Sequence, residues 1–584
     1  MGDAGAPSAS GGTGGAKPGS GGSTGSGGGS GSASGSGGTS SGSGGNTSGS
    51  GGASSGSGGG GGDIPSSAYL PARVRRLTNA EYDASVKALL GSTMAPSGTL
   101  SFPPDARQGS ASSPAGPAFT LNDAQRVDPV MAGKLDTAAL ALVAEARMNG
   151  KLAALAPCSN PSGAQGEACA KTFVQKFGAK VYRRPLSDTE VNALVSGSTA
   201  AYHVGADGYT YNDGIDLLTR ILLQSAGFMY VTEIGDGSGA ATFSLTGNET
   251  ASALSFMLTS GPPDDSLMTA ASGGMLATAD GREQQARRLL GTADGRARLV
   301  RVVREWLGIE DVAHREKAQS VYPDFAGVST SMENESLAFI GDVLANGNGS
   351  ISQLLGADWT MVDAPLAKVY GVTSAGTGKR TLLTGVKRRG ILNQGAFLSV
   401  FATNNGSHPV FRGVATMRRV ACLNVPDPGA LGLVVSFPAA DPSMTTRQRF
   451  EKHALDQQCA SCHTSIDKFG FAFEGFDGMG AVRTTENGKN VDSSTTIKAG
   501  TDFDGDYADS NALATAMANS ASVRTCVARQ LFRSAVGRSD STSTASENAF
   551  IDLWKGLPSD KQDRLPEVLV AFVRSPLFVQ RRTP

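Results

Sequence analysis

Arg75-Arg76-Leu77-Thr78-Asn79-Ala80-Glu81-Tyr82 is the stretch that decides the fold class. Thr78 is a good helix N-cap, and Glu81 stands three residues on, where its carboxylate reaches back to the cap's own N–H. Tyr82, Val86, Leu89 and Leu90 then recur at helical spacing, and Gly91 supplies the stop. The same device returns at Ser187/Glu190, Thr246/Glu249 and Thr445/Gln448, and its role is structural. Around these starts, apolar periodicity predicts helices at 126–148, 168–182, 213–226, 279–291, 295–307, 330–345 and 509–536. Strand-like alternation is scarce. Residues 380–400 and 469–500 are expected to carry the loops and any short strands. The fold class is mainly α, with several small helical domains in series.

Of the 584 residues, the first 62 hold 29 Gly and 17 Ser. Such a segment cannot bury apolar surface and reads as a flexible tether. Composition and turn signals divide the chain into a tether at 1–66, an N-terminal helical domain at 67–149 and a disulfide-stapled helical domain at 150–208. A central helical domain at 209–379, a connecting domain ending in a Pro/Gly linker at 380–440 and a C-terminal unit at 441–584 follow. With 51 basic and 52 acidic residues, no global field favours nucleic acid or anionic lipid. No run approaches 18 apolar residues, so no membrane-spanning helix is expected. Met1-Gly2-Asp3-Ala4 runs straight into the tether without a signal peptide. Either the protein is cytoplasmic with a tail, or the true start and an export signal lie upstream.

Several motifs fail on spacing. Gly376-Thr377-Gly378-Lys379-Arg380-Thr381 has Thr373 where a phosphate loop needs Gly, and Arg380 where it needs Ser or Thr. Asp502-Phe503-Asp504-Gly505-Asp506 places its glycine too early for a calcium loop and has no closing Glu. Neither a Gly-x-Ser-x-Gly elbow nor a His-Glu-x-x-His pair occurs. Glu305 beside Trp306, His203 and His314 read as ordinary surface or core residues, so no nucleophile, base or substrate pocket is assigned.

The six cysteines are Cys158, Cys169, Cys422, Cys459, Cys462 and Cys526. Cys459-Ala460-Ser461-Cys462-His463 has the spacing of c-type haem attachment. Two residues between the thiols let each reach one porphyrin vinyl group from a tight helical turn, and His463 then turns its imidazole to the iron. Three other readings stay open. They are a zinc site completed by Cys422, Cys526 or His453, a thioredoxin-like pair, and a structural disulfide. Residues 446–458 can form a helix leading into the motif. Phe469, Phe471, Phe473 and Phe476 follow as an apolar wall for a haem, or as an ordinary half-buried strand. Arg483 is a candidate partner for a haem propionate, or a solvated surface arginine.

These pieces resemble the multidomain, mostly uncharacterised proteins of planctomycetes and myxobacteria that carry a Cys-x-x-Cys-His segment among adjoining domains of unknown function. The resemblance rests on residues 75–82, 182–187 with Glu190, and 214–233 ending Gly227-Phe228-Met229-Tyr230. It continues with Arg388-Arg389-Gly390-Ile391-Leu392, Pro409 with Arg412-Gly413, Cys459 to Asp477 with Gly480 and Arg483, and residues 531–538. It implies export and a cytochrome-c-like C-terminal segment, and supplies no reaction. Lys468 departs from it, standing where Pro is common.

The leading expectation is an exported c-type haem protein that handles electrons, with one covalent haem c on Cys459 and Cys462 and His463 on the iron. The periplasm or cell surface is the expected compartment, with an unknown redox partner protein and a lipid anchor upstream of Met1 as a further expectation. The alternatives are a cell-surface binding protein with a structural haem, and an oxidative enzyme of unknown substrate. Cys158 and Cys169 flank a short Pro/Gly-bearing loop and suit a disulfide worth about 3 kcal/mol, or two free thiols. Cys422 and Cys526 pair by elimination. For the sixth iron ligand Met517 ranks first, having ample chain to cross the porphyrin; Met479 and His408 follow, and an open iron site is the remaining option. His453 lies ten residues before His463, on a face awkward for distal reach.

Overall fold

The computed structural model describes residues 64–107, 119–121, 126–159, 161, 163–197, 210–426, 429, 437–455, 457–538 and 540–584. The tether up to residue 63, part of the expected Pro/Gly linker (427, 428 and 430–436) and His203 lie outside the described residues. The architecture is mainly helical, with short two- and three-residue strand pairs between helices.

All four expected capping boxes form. Thr78 accepts from the Glu81 N–H and starts Asn79–Leu90; Thr246 starts Gly247–Thr259 and Thr445 starts Thr446–His453 in the same way. Ser187 and Glu190 exchange the reciprocal bonds at the head of Asp188–Gly197. A fifth box, Thr210 with Asp213, opens Tyr211–Gln224. Here the shorter Asp does what Glu does elsewhere, so a search for Glu or Gln at the third position passes over it.

Three expectations are corrected. Residues 509–536 are two helices, Ser510–Asn519 and Ala521–Val536, because Ser520 takes an extended conformation and caps the second through the Val523 N–H. The 380–400 stretch carries the strand Thr381–Leu382, but also the helix Gly395–Val400. Phe469 and Phe471 end the helix Gln457–Phe471 rather than lying on a strand, and the short strands begin only at Thr485. Lys468 explains the last point. A proline there would remove a backbone N–H and clash one turn back, whereas lysine lets the helix run on. The carboxylates of the failed calcium loop serve as acceptors within the chain. Asp502 accepts from Ser520 Oγ and the Ala521 N–H, and Asp504 from the N–H groups of Ala499, Gly500 and Thr501.

Buried apolar side chains gather in two cores. One runs from Leu77 to Val231 and includes Phe256. The larger takes Ala68, Leu70 and Phe119 and then residues from Ala251 to Phe578, with Trp306 and Trp554 fully buried. Each such large side chain stabilises the fold by about 1.5–3 kcal/mol. The strand Gln580–Arg582 lies between Leu70–Pro71, parallel, and Thr242–Ser244, antiparallel. Residue 70 and residue 581 are thus neighbours. Beside them Glu233 accepts from Arg73, Arg538 and Arg581, and these guanidiniums hold its carboxyl well below the usual range despite full burial. Among the described residues no helix is long and apolar enough to cross a membrane. Disulfides join Cys158 to Cys169 and Cys422 to Cys526, with Cα atoms 6.0 and 5.4 Å apart.

Candidate functional site

The Cys459–His463 turn lies on the helix Gln457–Phe471, which packs along Pro409–Ala415. Two glycines permit the approach. A Cβ on Gly413 would overlap the Ile466 carbonyl, and one on Gly470 would overlap the Pro409 carbonyl. Arg412, fully buried on the shorter helix, donates to the carbonyls of Leu398, Phe473, Phe476 and Asp477. It thereby ties down the chain that follows Gln457–Phe471.

The phenylalanines complete this anchored end. Phe469, Phe471, Phe473 and Phe476 are all buried. Phe469 meets the Phe503 ring edge-on at 6.3 Å, and Phe473 lies 6.1 Å from Phe397. Phe471 faces the Arg447 guanidinium and Phe476 that of Arg388. Their faces are therefore occupied by protein. Arg483 is similarly engaged: it donates to both Glu474 and Glu486, to Ser407 Oγ at 2.8 Å and to the Glu474 carbonyl at 2.9 Å. Four of its five N–H donors are spent, which leaves little for a propionate.

The other end of the helix is different. Cys459 and Cys462 are half-buried, unpaired thiols, and Cys462 rests against the larger core. His463 Nδ1 lies 3.0 Å from Asp467 Oδ1, one turn along, the i,i+4 spacing that brings two side chains together on a helix. Asp467 is buried, and burial pushes its carboxyl above the usual range while His463 draws it back. Its second oxygen, Oδ2, is buried and has no partner among the described residues. With Nδ1 turned to Asp467, Nε2 is the nitrogen of His463 left for a ligand. Asp467 went unread in the sequence, although its place four residues after His463 is a visible signal.

Around this end lies a group of rings. His453 stands 5.3 Å from His463, edge to face, nearer than its awkward helical phase suggests. His408 is buried, stacks on Phe411 at 3.8 Å and meets Phe437 and Phe450 edge-on. Its Nδ1 accepts from the Phe411 N–H, so the ring proton sits on Nε2, which is buried without an acceptor among the described residues. Burial, with Arg412, Arg449 and His463 adding, pushes its pKa down to about 3. Ligating iron through Nε2 would move that proton to Nδ1 and break the helix cap.

Met517 is fully buried on Ser510–Asn519, a helix that packs chiefly against Ile351–Gly356. Met479 is also a core residue, and its carbonyl accepts from Ser399. Of the three fourth ligands considered for zinc, Cys422 and Cys526 are bonded to each other. Among the described residues no three His, Cys, Asp or Glu side chains converge as a metal site.

Three adjoining stretches match family models: residues 169–233 the model Protein of unknown function (DUF1595), residues 245–372 Protein of unknown function (DUF1592), and residues 388–486 Protein of unknown function (DUF1588). The chain is thus a multidomain protein built from domains of unknown function. The third match holds Arg412, the Cys459–His463 turn and Arg483, and its short name, PSCyt3, hints at a cytochrome-like domain. No curated protein and no solved structure matches the chain.

Proposed function

We propose that the Cys459–His463 turn attaches one c-type haem and that the protein transfers electrons outside the cytoplasm. The observation that carries this reading is the state of the cysteines. Four are joined in disulfides, while the two with haem spacing are unpaired, half-buried and one helical turn apart beside an imidazole. Cys459 and Cys462 would hold the porphyrin through thioether bonds, and His463 Nε2 would hold the iron. The group supplies one-electron redox chemistry when bound.

The chain's own residues prepare that place. Asp467 fixes the His463 ring and its tautomer, and a carboxylate on Nδ1 raises the basicity of Nε2, which lowers the potential of an iron it binds. Arg412 and the Gly413/Gly470 contact keep the helix beneath the thiols rigid. His453, whose ring stands 5.3 Å from that of His463, is a better placed side chain for a role at the iron than the core residue Met517. Two disulfides suit an oxidising compartment, the periplasm or cell surface, where c-type haem is attached and where a redox partner protein would be met.

The test is the reduced-minus-oxidised visible spectrum of protein exported by a host with c-haem maturation. Sharp bands of a low-spin c-type haem support the reading, and their loss in Cys459→Ser, Cys462→Ser and His463→Ala maps it to the turn. A colourless wild-type protein contradicts it. Asp467→Asn should keep the bands and raise the midpoint potential.

A further inference from the structure

Elsewhere in the molecule, the strand Arg73–Arg76, the first turn of Asn79–Leu90 and the helix Ala293–Leu307 enclose a cavity of about 270 Å³. Six arginines and four carboxylates line it. Most of these charges are satisfied in pairs. Arg75 holds Glu81 through two bonds of 2.7 and 3.0 Å, Glu233 is shared by three arginines, Asp105 binds Arg76 and the Asn79 N–H, and Arg107 pairs with Glu310.

Arg298 is only loosely paired and Arg301 has no bonded carboxylate among the described residues. They stand one turn apart on Ala293–Leu307, and the nearest carboxylate, Glu305, is 3.9 Å from Arg298 Nη1. Arg301 donates to the Ser260 hydroxyl, and no carboxylate bonds to it among the described residues. Arg298 Nε and Arg73 Nη1 are buried without an acceptor among those residues. A buried guanidinium lacking its anion is costly, because desolvation is not offset by pairing. Burial and the neighbouring Arg298 push the Arg301 pKa down to about 10. One acceptor in the same wall is also unmet. Asn79 donates its Nδ2 to the Pro103 carbonyl at 2.9 Å, which fixes the amide, and its Oδ1 is buried with no donor.

We propose that this cavity is a binding site for inorganic phosphate, with Arg298, Arg301 and Arg73 donating to its oxygens and Asn79 Oδ1 accepting its remaining proton. The guanidinium forks match tetrahedral oxyanions, and Arg301, which has no bonded carboxylate among the described residues, beside Arg298, whose carboxylate stands 3.9 Å off, offers positive charge to an anion. Hydrogen phosphate carries an O–H that sulfate lacks at neutral pH, so Asn79 discriminates between them. The volume takes one phosphate with several waters. The inference is independent of the haem reading.

Isothermal titration of the full chain at pH 7 and constant ionic strength, with inorganic phosphate, sulfate and chloride in separate arms, tests it. Phosphate should bind with Kd below about 1 mM, and sulfate should bind at least about tenfold more weakly. Arg298→Gln and Arg301→Gln should each weaken phosphate about tenfold or more, while exposed Lys561→Gln changes nothing. Arg301→Lys, which keeps the charge but not the fork, should fold with a wild-type melting curve and bind more weakly than wild type. Phosphate heats no larger than those of chloride, sulfate binding as tight as phosphate, or wild-type affinity in folded Arg301→Gln or Arg301→Lys would each overturn the assignment.

Discussion

The two ends of the helix Gln457–Phe471 answer to different demands. At its C-terminal end the backbone touches a second helix through Gly413 and Gly470, Arg412 collects four carbonyls, and every phenylalanine has a partner. At its N-terminal end two thiols stand outside any disulfide, Cys462 taking only a 3.9 Å contact from the Ser461 hydroxyl, and a buried carboxylate holds the imidazole from behind. The difference separates residues whose bonding capacity is spent on the fold from residues whose capacity is free for a ligand. By that measure Phe469, Phe471, Phe473 and Arg483 belong with the fold, and Cys459, Cys462 and His463 with the ligand.

Substitutions at the anchored end should cost stability whether or not a cofactor is bound. The largest effect is expected from breaking Cys422–Cys526, which follows the Pro409–Ala415 helix and closes a loop around the whole segment, 104 residues in sequence separation. Cys422→Ser with Cys526→Ser should lower the unfolding free energy in urea by about 4 kcal/mol. Gly470→Val should come next, at about 3 kcal/mol, because its side chain meets the Pro409 backbone, which cannot rotate away. An unchanged urea midpoint there would mean that the two helices do not touch. Arg412→Met should cost about 2 kcal/mol, since buried carbonyls lose a donor while a guanidinium no longer has to be desolvated. The smallest effect belongs to the open end. Cys459→Ser and Cys462→Ser should each change the stability of haem-free protein by less than about 1 kcal/mol, yet abolish attachment, while His463→Ala, which leaves the buried Asp467 carboxyl without its partner, should cost about 1–2 kcal/mol. A large loss of stability in these variants would erase the distinction between the ends.

Local chemistry made much of this legible in the sequence. A capping box depends on residues three apart, so four helix starts could be placed from the chain alone; Thr210/Asp213 escaped only because its acid is short. The break at Ser520 was hidden because a serine inside an apolar pattern becomes a cap only when Asp502 and the next helix are in place. The neighbourhood of Leu70 and Arg581 left no trace, since strands of two or three residues carry no periodicity and their pairing is set by packing. At the candidate site, the reactive residues were readable because their spacing is covalent chemistry. The engagement of Arg483 by Glu474, Glu486 and Ser407 was not, because its partners lie in three turns of chain that the fold brings together. Met517 looked able to reach an iron by chain length alone, whereas its helix is committed to Ile351–Gly356.

The central claim, a haem bonded to Cys459 and Cys462, is tested most directly by the intact mass of the exported full chain before and after acid–acetone extraction. The account expects a mass increase of one haem that survives extraction, and none in Cys459→Ser with Cys462→Ser. Protein without added mass, pigment that leaves with the solvent, or stoichiometric zinc in place of iron would contradict it.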